Sequence, residues 1–371
     1  MWVNKDVRWL SRRRSRCAVG DSTQTRELHR SSSPKRTPTE PVMPRVTAAL
    51  QIAMVDPERA SSVDDAVYHA VLYADIFDYP LTRDEIFTFA LAPATSRSEV
   101  EQSIDRLLAC GTLETDSTFV YCPARACLVT RRLVRQQQSH RAWQRARFYA
   151  SILWALPYVR MVAVTGALAM NNVDPGDDID YLIVTEPGRL WLTRGFIVGI
   201  AKLVRACGDT LCPNYLISSR ALRMDRRDLY VAHELAQMVP IHGQAMAARL
   251  WAENAWCRDL LPNAYCRELD RTSDRLPVGV RLVKALAQTL LWLPPGDWVE
   301  QWEQRRKVAK LSGQVPPHVG EALYTADVCK GHDHGHGERI MQLWQSRTAA
   351  REYATASVGA CPVEHVSGHG D

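Results

Sequence analysis

The sequence lacks a regular cysteine pattern, a secretory signal and a long apolar run. These are the features that would indicate disulfide bonds, secretion or a membrane span. Its ten cysteines are scattered without a Cys-x-x-Cys pair, so a disulfide framework is not expected in a chain of this size. No secretory signal begins the chain, and no uninterrupted run of about 18 apolar residues occurs that could span a bilayer. These absences predict a cytoplasmic protein with no membrane partner.

A strong charge surplus and two common catalytic motifs are missing as well. The formal net charge is +5, yet residues 1–46 alone hold eleven Lys or Arg against four acids. The remaining chain is therefore close to neutral, which argues against a nucleic-acid surface spread over the whole protein. No Gly-x-x-x-x-Gly-Lys loop and no Gly-x-Ser-x-Gly elbow occurs, so P-loop and serine-hydrolase chemistry lack support.

Both ends of the chain are predicted to be disordered. Residues 1–62 are rich in Arg, Ser, Thr and Pro and show little apolar periodicity, which is typical of a disordered basic tail. An alternative is that translation starts at Met43 or Met54. Residues 356–371 are predicted to form a second disordered tail.

Residues 63–125 have the pattern of a winged helix. Apolar residues at helical spacing predict a first helix that ends near Tyr79-Pro80. Two further helices are predicted from capping boxes, the paired hydrogen bonds that begin many helices, formed by Thr82 with Glu85 and by Ser98 with Glu101. Two short apolar stretches around a polar segment then predict a hairpin. Three helices and a hairpin are the parts of a winged helix.

The winged helix raises DNA as one partner. Its third helix is expected to face outward with a mixed set of side chains: Ser96, Arg97, Ser103 and Arg106, with Glu99, Glu101 and Asp105 nearby. Because phosphate binding needs a basic surface, a structural or protein-interaction role is at least as well supported.

Residues 126–155 are predicted to form a basic connector helix. Its arginines form a stripe: Arg131, Arg132, Arg135, Arg141, Arg145 and Arg147. Such a stripe could track a polynucleotide, but the solvated face of a connector is the preferred interpretation.

An α/β core follows at 156–243, and a helical region at 244–355. The core has predicted strands at Val159–Thr165, Ile179–Thr185 and Leu211–Ser218, with an amphipathic helix at Leu190–Cys207. From Asp225 onward the pattern is helical, with breaks at Pro240, Pro262, Pro294-Pro295 and Pro316-Pro317. Five tryptophans of this region are expected to pack helices together: Trp251, Trp256, Trp292, Trp298 and Trp302.

One constellation in the core carries chemistry. An apolar strand runs into Gly166, and after a gap of ten residues beyond Ala167 a second strand opens with Asp178-Ile179-Asp180. Alternation puts both carboxylates on one face of that strand. Two adjacent carboxylates repel unless a cation lies between them, and hard oxygen ligands suit Mg²⁺ together with phosphate oxygens. Backbone amides at the glycine turn can hold further phosphate oxygens.

This stretch resembles the signature of the DNA polymerase beta-like nucleotidyltransferase superfamily. The chain is more closely similar to bacterial proteins that join a winged helix to that core, through four segments: Asp75–Thr82, His233–Pro240, Leu261–Asn263 and Asp327–His332. The resemblance implies an α+β fold in which a small mixed-sheet nucleotidyltransferase core is flanked by an N-terminal winged helix and a C-terminal helical region.

Two positions depart from the superfamily pattern. Ala167 stands where Ser or a second Gly is usual, so Thr165 is the candidate substitute hydroxyl. Asn214 stands where a third carboxylate is usual, and an amide binds Mg²⁺ weakly and cannot act as a base. Glu234, in the following helix, is the candidate replacement. A catalytically weak descendant is therefore an alternative.

The resemblance implies transfer of a nucleoside monophosphate from an NTP to an acceptor hydroxyl. Asp178 and Asp180 are the expected catalytic and metal-binding residues, with Asn214 as a further ligand. Thr165, Gly166 and Ala167 are the expected phosphate-binding residues. Mg²⁺ is the expected ion, with Mn²⁺ as an alternative, and the acceptor is a protein, a small molecule or an RNA. The alternatives are a nucleotide-binding regulator and a DNA-binding protein.

Other charged residues are secondary candidates. Arg189 and Arg194 follow the second strand and could neutralise phosphate charge. Lys330 and His332 could contact phosphate if the C-terminal helices fold over the core. A Cys/His group could bind Zn²⁺, but a polar loop that enters a helix is the preferred interpretation: Cys329, His332, His334, His336, Cys361, His365 and His369.

Overall fold

The computed structural model of the chain describes residues 62–91, 95–206, 208–264, 274–312, 323–331 and 335–359. Most of the predicted N-terminal tail and several positions of the predicted Cys/His group lie outside the described residues. So do Cys207 and Pro316-Pro317. The last helix extends to Gly359, into the segment 356–371 for which the sequence predicts disorder.

Among the described residues of 62–125, three helices and a hairpin follow one another in the predicted order. They are α1 (Val63–Asp75), α2 (Arg83–Phe89), α3 (Arg97–Ala109), β1 (Glu114–Thr115) and β2 (Val120–Tyr121). Their apolar faces enclose one core with Val67, Ile86 and Ile104 at its centre. Leu81 adds a single bridge to Val120, which ties the hairpin to the start of α2.

The two capping boxes had different outcomes. The box of Thr82 and Glu85 is present at the start of α2. The predicted box of Ser98 and Glu101 is wrong, because Ser96 and Glu99 form it two residues earlier. Both pairs have the required spacing. Ser96 has the extended backbone of a cap, whereas Ser98 already lies inside the helix, so its hydroxyl cannot start it.

A long helix leads into the core. The elements that follow are α4 (Cys127–Ala155), β3 (Val159–Val164), α5 (Gly166–Ala169), β4 (Ile179–Thr185), α6 (Leu190–Ala206) and β5 (Leu211–Ser218). The strands agree with the predicted ones to within one residue. They form a mixed sheet, since β3 pairs antiparallel with β4 and β4 pairs parallel with β5.

The region predicted to be helical contributes three more strands to the sheet. Its elements are α7 (Leu229–Gln237), β6 (Val239–His242), α8 (Gln244–Glu253), α9 (Cys257–Leu260), α10 (Val278–Trp292), α11 (Pro294–Ser312), β7 (Leu323–Tyr324), β8 (Val328–Lys330) and α12 (His336–Gly359). The six-strand order is β6-β3-β4-β5-β8-β7. Pro240 therefore marks an edge strand rather than a helix break, because an edge tolerates a residue without an amide donor.

The sheet separates two apolar layers. Leu182 and Val184 of β4 face a layer built with α7, α8 and α12. Tyr181 and Ile183 face the other layer, built with α4 and α6. This alternation follows from the period of two along a strand, and it determines on which side the polar start of β4 projects.

Three tryptophans do not pack as predicted. Trp292, Trp298 and Trp302 are 64%, 68% and 50% exposed. They lie on α10 and α11, whose outward faces carry much of the exposed apolar surface. Within the described ranges, none of the helices combines the length and the apolar character needed to cross a bilayer.

Candidate functional site

The glycine bend and Asp180 are in direct contact. The Thr165 amide donates to the carbonyl of Asp180 at 3.0 Å, which holds the end of β3 against the start of β4. Gly166 has a φ of +66°, and a Cβ atom there would lie 2.9 Å from Asp180 Oδ2. The left-handed backbone favours glycine, and a Cβ atom at this position would displace the Asp180 carboxylate.

Asp178 and Asp180 lie on either side of Ile179, the first residue of β4. Asp180 lies two residues before Leu182, so alternation points it toward the layer that contains α7. Burial, and next the charge of Asp178, raises the pKa of Asp180 to about 8, with smaller effects of Glu234 and Asp177. Asp178 Oδ1 is buried and has no hydrogen-bond partner among the described residues. A buried, unpartnered acceptor beside another acid calls for a cation.

Glu234 joins this pair from α7. It is the candidate third carboxylate of the sequence analysis, and the structure brings its charge close enough to raise the pKa of Asp180. Burial raises the pKa of Glu234 itself to about 7, against an opposing effect of Lys330. The acidic group therefore includes a residue more than fifty positions from Asp180 in sequence.

The neighbouring His233 has a different role. Its ring stacks on Tyr73 at 4.0 Å and on Phe89 at 5.5 Å between centroids. Burial lowers the pKa of His233 to about 4. His233 thus belongs to the packing between α7 and the N-terminal helices, while Glu234 faces the acids.

Lys330 brings a positive charge to the acidic group. It lies on β8 opposite Tyr215 of β5, and its ammonium group is 5.8 Å from the centroid of that ring. Lys330 is one of the two residues for which the sequence analysis suggests a phosphate contact. His332 lies outside the described residues.

Asn214 lies beside an irregularity in the sheet. The residue opposite Asp180 is Cys212, and the register shifts before Leu182 meets Tyr215. The Cys212 side chain hydrogen-bonds Asp180. A role of Asn214 as a ligand stays a prediction.

The other predicted phosphate-binding residues lie at the bend. Thr165 is buried, with 5% of its surface exposed, and Ala167 is exposed.

Arg189 and Arg194 lie away from the acidic group. Arg189 follows β4, whose far end at Thr185 lies about 17 Å along the strand from Asp180 at roughly 3.3 Å per residue. Its guanidinium pairs with Asp297, and Arg194 contacts Cys329. Neither contact supports the phosphate role that the sequence suggested.

The loop between Gly166 and Asp178 is held by its neighbours. Tyr79 donates to the Met170 carbonyl at 2.8 Å, and Trp143 donates to Asn171 Oδ1 at 2.7 Å. Arg135 binds both carboxylate oxygens of Asp174, at 2.9 and 2.7 Å. The N-terminal part and α4 therefore position the loop that joins the bend to the two aspartates.

The basic stripe of α4 is divided between an internal seam and an exposed face, so the preferred interpretation as a solvated face is wrong for Arg132 and Arg135, which are buried. Arg131, Arg132 and Arg135 pair with Asp78, Glu85 and Asp174. Arg132 also stacks over Tyr79, 3.6 Å from the ring centroid. Arg141 and Arg147 remain exposed.

The basic residues of the third helix, α3, also form ion pairs with acids of the same chain. Arg97 pairs with Asp84, and Arg106 pairs with Asp64. Ser103, which was expected to face outward, is fully buried. This face offers little unpaired positive charge for a DNA backbone.

The residues present fit a divalent cation as an incomplete site. Asp178 and Asp180 supply oxygen donors, one of them without a partner. In the part of the chain that the structure describes, no group of three or more His, Cys, Asp or Glu side chains is arranged to hold a metal by itself. Mg²⁺ is commonly bound by one or two carboxylates, and water and phosphate oxygens complete its coordination.

In a comparison with known proteins, no protein-family model, curated protein or solved structure matches the chain.

Proposed function

We propose that the chain is a nucleotidyltransferase that moves a nucleoside monophosphate from an NTP to an acceptor hydroxyl. In this proposal, residues 63–125 are a winged helix and residues 156–243 are a nucleotidyltransferase core. The observation that carries the proposal is the contact between the Gly166 bend and Asp180, beside the unpartnered oxygen of Asp178.

Asp178 and Asp180 would hold Mg²⁺, with Mn²⁺ as the alternative. When bound, the ion neutralises the carboxylates and the phosphate charge that accumulates as the leaving group departs. Gly166 lets the backbone approach the phosphates, and Lys330 adds a positive charge near them. Glu234 supplies the third carboxylate in place of Asn214. The acceptor hydroxyl gives its proton to the Glu234 carboxylate, its oxygen forms a bond to the α-phosphorus, and the bond to pyrophosphate breaks.

The N-terminal part has a positioning role in this proposal. Its contacts to Met170 and the α4 contacts to Asp174 hold the loop before the aspartates. The ion pairs of Arg97 and Arg106 disfavour the alternative of a DNA-binding protein. The remaining alternative, a catalytically weak regulator that binds nucleotide, is favoured by Ala167 and Asn214.

A transfer assay tests the proposal. The chain is incubated with each of the four α-labelled NTPs and Mg²⁺ or Mn²⁺, in the presence of protein, RNA and small-molecule extracts. We expect pyrophosphate release and transfer of label, reduced at least about a hundredfold by Asp180→Asn. Asp177→Asn is the matched control, because the amide oxygen can still accept from the Asp174 amide.

Equal transfer by wild type and Asp180→Asn would contradict the proposed site. Nucleotide binding without pyrophosphate release, with every acceptor fraction and both ions, would favour the regulator.

A further inference from the structure

Helix α10 packs on the core through its more polar side. The Lys284 ammonium group donates to the carbonyls of Trp154 at 2.6 Å and Val159 at 3.2 Å. Tyr158 donates its hydroxyl to the Gln288 carbonyl at 2.7 Å. These contacts orient the helix, because they set which of its faces is turned toward the sheet.

The apolar side of α10 is consequently exposed. Its stripe is more than half exposed at each position: Val278, Leu282, Val283, Leu286 and Leu290. Val278, Leu282, Leu286 and Leu290 follow one another at intervals of four residues, so they share one face. An amphipathic helix normally turns this face to the core, and an exposed apolar patch of this kind marks an interaction surface.

Helix α11 continues this surface directly after Leu293. Trp298 and Trp302 are exposed, one turn apart, and their rings stack with 6.4 Å between centroids. They line a shallow groove with Arg305 and Arg306. Large aromatic rings beside arginines are typical of a helix at the boundary between lipid and water.

The acids of this region are occupied by partners within the chain. Residues 274–312 contain seven Lys or Arg and four Asp or Glu. Asp274 accepts from the amides of Gly243 and Gln244, and Glu300 accepts from the first amides of α6. Asp297 pairs with Arg189, and Glu303 with Arg306. The charge left on the outer side is therefore positive, with exposed Arg275, Arg281, Arg305 and Lys310.

We propose that the α10–α11 surface, defined by the exposed apolar stripe, Trp298, Trp302 and the exposed basic residues around them, binds the surface of an anionic lipid bilayer. The apolar side chains enter the boundary layer, and the basic residues meet lipid phosphates. The sequence predicts no membrane partner because it has no spanning segment, but a helix that lies on a membrane needs no such segment. The proposal is independent of the nucleotidyltransferase proposal.

A second copy of the chain fits this surface less well. A two-fold axis places the same patch against itself, so Arg281 and Arg305 would face a patch that carries the same positive charge. Anionic lipid complements both the apolar stripe and the charge.

Vesicle flotation of the full chain tests the proposal. Vesicles of phosphatidylcholine alone are compared with vesicles that also contain phosphatidylglycerol. We expect binding to the anionic vesicles, weakened by salt, and reduced at least about tenfold by Leu282→Ser/Leu286→Ser. Leu203→Ser is the matched control, because Leu203 is equally exposed, at 70%, on α6. We expect it to bind like wild type.

A second set of variants tests the role of the positive charge. It compares Arg281→Gln/Arg305→Gln with a control pair on α4, Arg141→Gln/Arg147→Gln. We expect only the first pair to lose affinity for anionic vesicles. Circular dichroism and melting temperature verify that each variant folds, and both are expected to be unchanged because the substituted side chains are exposed.

Three outcomes would overturn the proposal: no flotation with anionic vesicles, equal flotation of wild type and Leu282→Ser/Leu286→Ser, or a stable dimer that this variant dissociates. The last result, measured by light scattering without lipid, would assign the surface to a second copy.

Discussion

Gly166 combines a backbone requirement with a chemical one. Its positive φ would strain any side chain, and the space where a Cβ would lie is taken by Asp180 Oδ2. Gly188 has almost the same φ, +69°, but no atom within 4 Å of that position. Substitutions at the two glycines can therefore distinguish the effect of backbone strain, which both share, from the effect of displacing the Asp180 carboxylate, which occurs only at Gly166.

We expect Gly166→Ala and Gly188→Ala each to cost about 1–2 kcal/mol of unfolding free energy through backbone strain. Only Gly166→Ala should also reduce transfer activity, by tenfold or more, because it displaces Asp180. Chemical denaturation and the transfer assay measure the two effects. Equal activity of the two variants would show that the close approach has no functional role.

Asp180 destabilises the fold when no cation is present. Its folded pKa of about 8 lies above the ordinary value of an aspartate. The unfolded chain therefore loses this proton first as the pH rises, and stability falls between about pH 4 and pH 8. A folded pKa that lies one pH unit above the unfolded pKa corresponds to about 1.4 kcal/mol of lost stability once both states are ionised.

Asp180→Asn should accordingly melt several degrees above wild type at about pH 8 without added metal, since roughly 2–4 °C corresponds to 1 kcal/mol. The difference should narrow toward pH 5. Scanning calorimetry across this range measures it, with the exposed Asp259→Asn as a control that should show no such trend. A less stable Asp180→Asn at pH 8 would mean that the carboxylate is not crowded by negative charge.

At the scale of elements, the seam between α4 and the loop before β4 connects the N-terminal part to the site. Arg135 is buried and binds Asp174 with two hydrogen bonds, and it also reaches Asn172. Arg141, on the same helix, is exposed. Substitution of Arg135, with Arg141 as the control, tests whether the seam positions the loop between Gly166 and Asp178.

We expect Arg135→Ala to lower the unfolding free energy by about 1–3 kcal/mol, a range reduced because Asp174 is partly exposed. Arg141→Ala should change it by less than about 0.5 kcal/mol. Urea denaturation measures both. If the loop role is correct, Arg135→Ala also raises the KM for the NTP, whereas a purely structural role leaves the KM of the folded fraction unchanged.

Some elements were predictable from local patterns and others were not. β4 and β5 have the predicted bounds, because their apolar runs lie between polar turns. β6 was missed, because Val239–His242 is short and contains Pro240. Its strand character depends on pairing with β3, a partner more than seventy residues away.

At the scale of the whole molecule, the acidic group should make folding and nucleotide binding interdependent. Asp178 and Asp180 lie at the start of β4 and Glu234 lies on α7, so a ligand that draws the three carboxylates together stabilises the packing of these two elements. A ligand at a hundred times its Kd adds about 2.7 kcal/mol, or roughly 5–10 °C for a chain of this size.

We therefore expect Mg²⁺ with a bound NTP to raise the melting temperature by this amount, and removal of Mg²⁺ by a chelator to reverse it. Asp178→Asn should abolish the shift, and Asp259→Asn should retain it. Differential scanning fluorimetry with each NTP measures both. A shift that persists in Asp178→Asn would place the nucleotide elsewhere.

The sequence by itself determined the local parts: the strands on either side of Gly166, the glycine at the bend, and the alternation along β4 that turns Asp180 toward one face of the sheet. These follow from steric limits on the backbone and from the period of two along a strand. Only the tertiary structure decided that Glu234 and Lys330 join the aspartates, that Arg132 and Arg135 turn inward, and that the apolar face of α10 turns outward. The reason is physical: a local pattern specifies the face on which a side chain lies, whereas the packing of distant segments decides what that face meets.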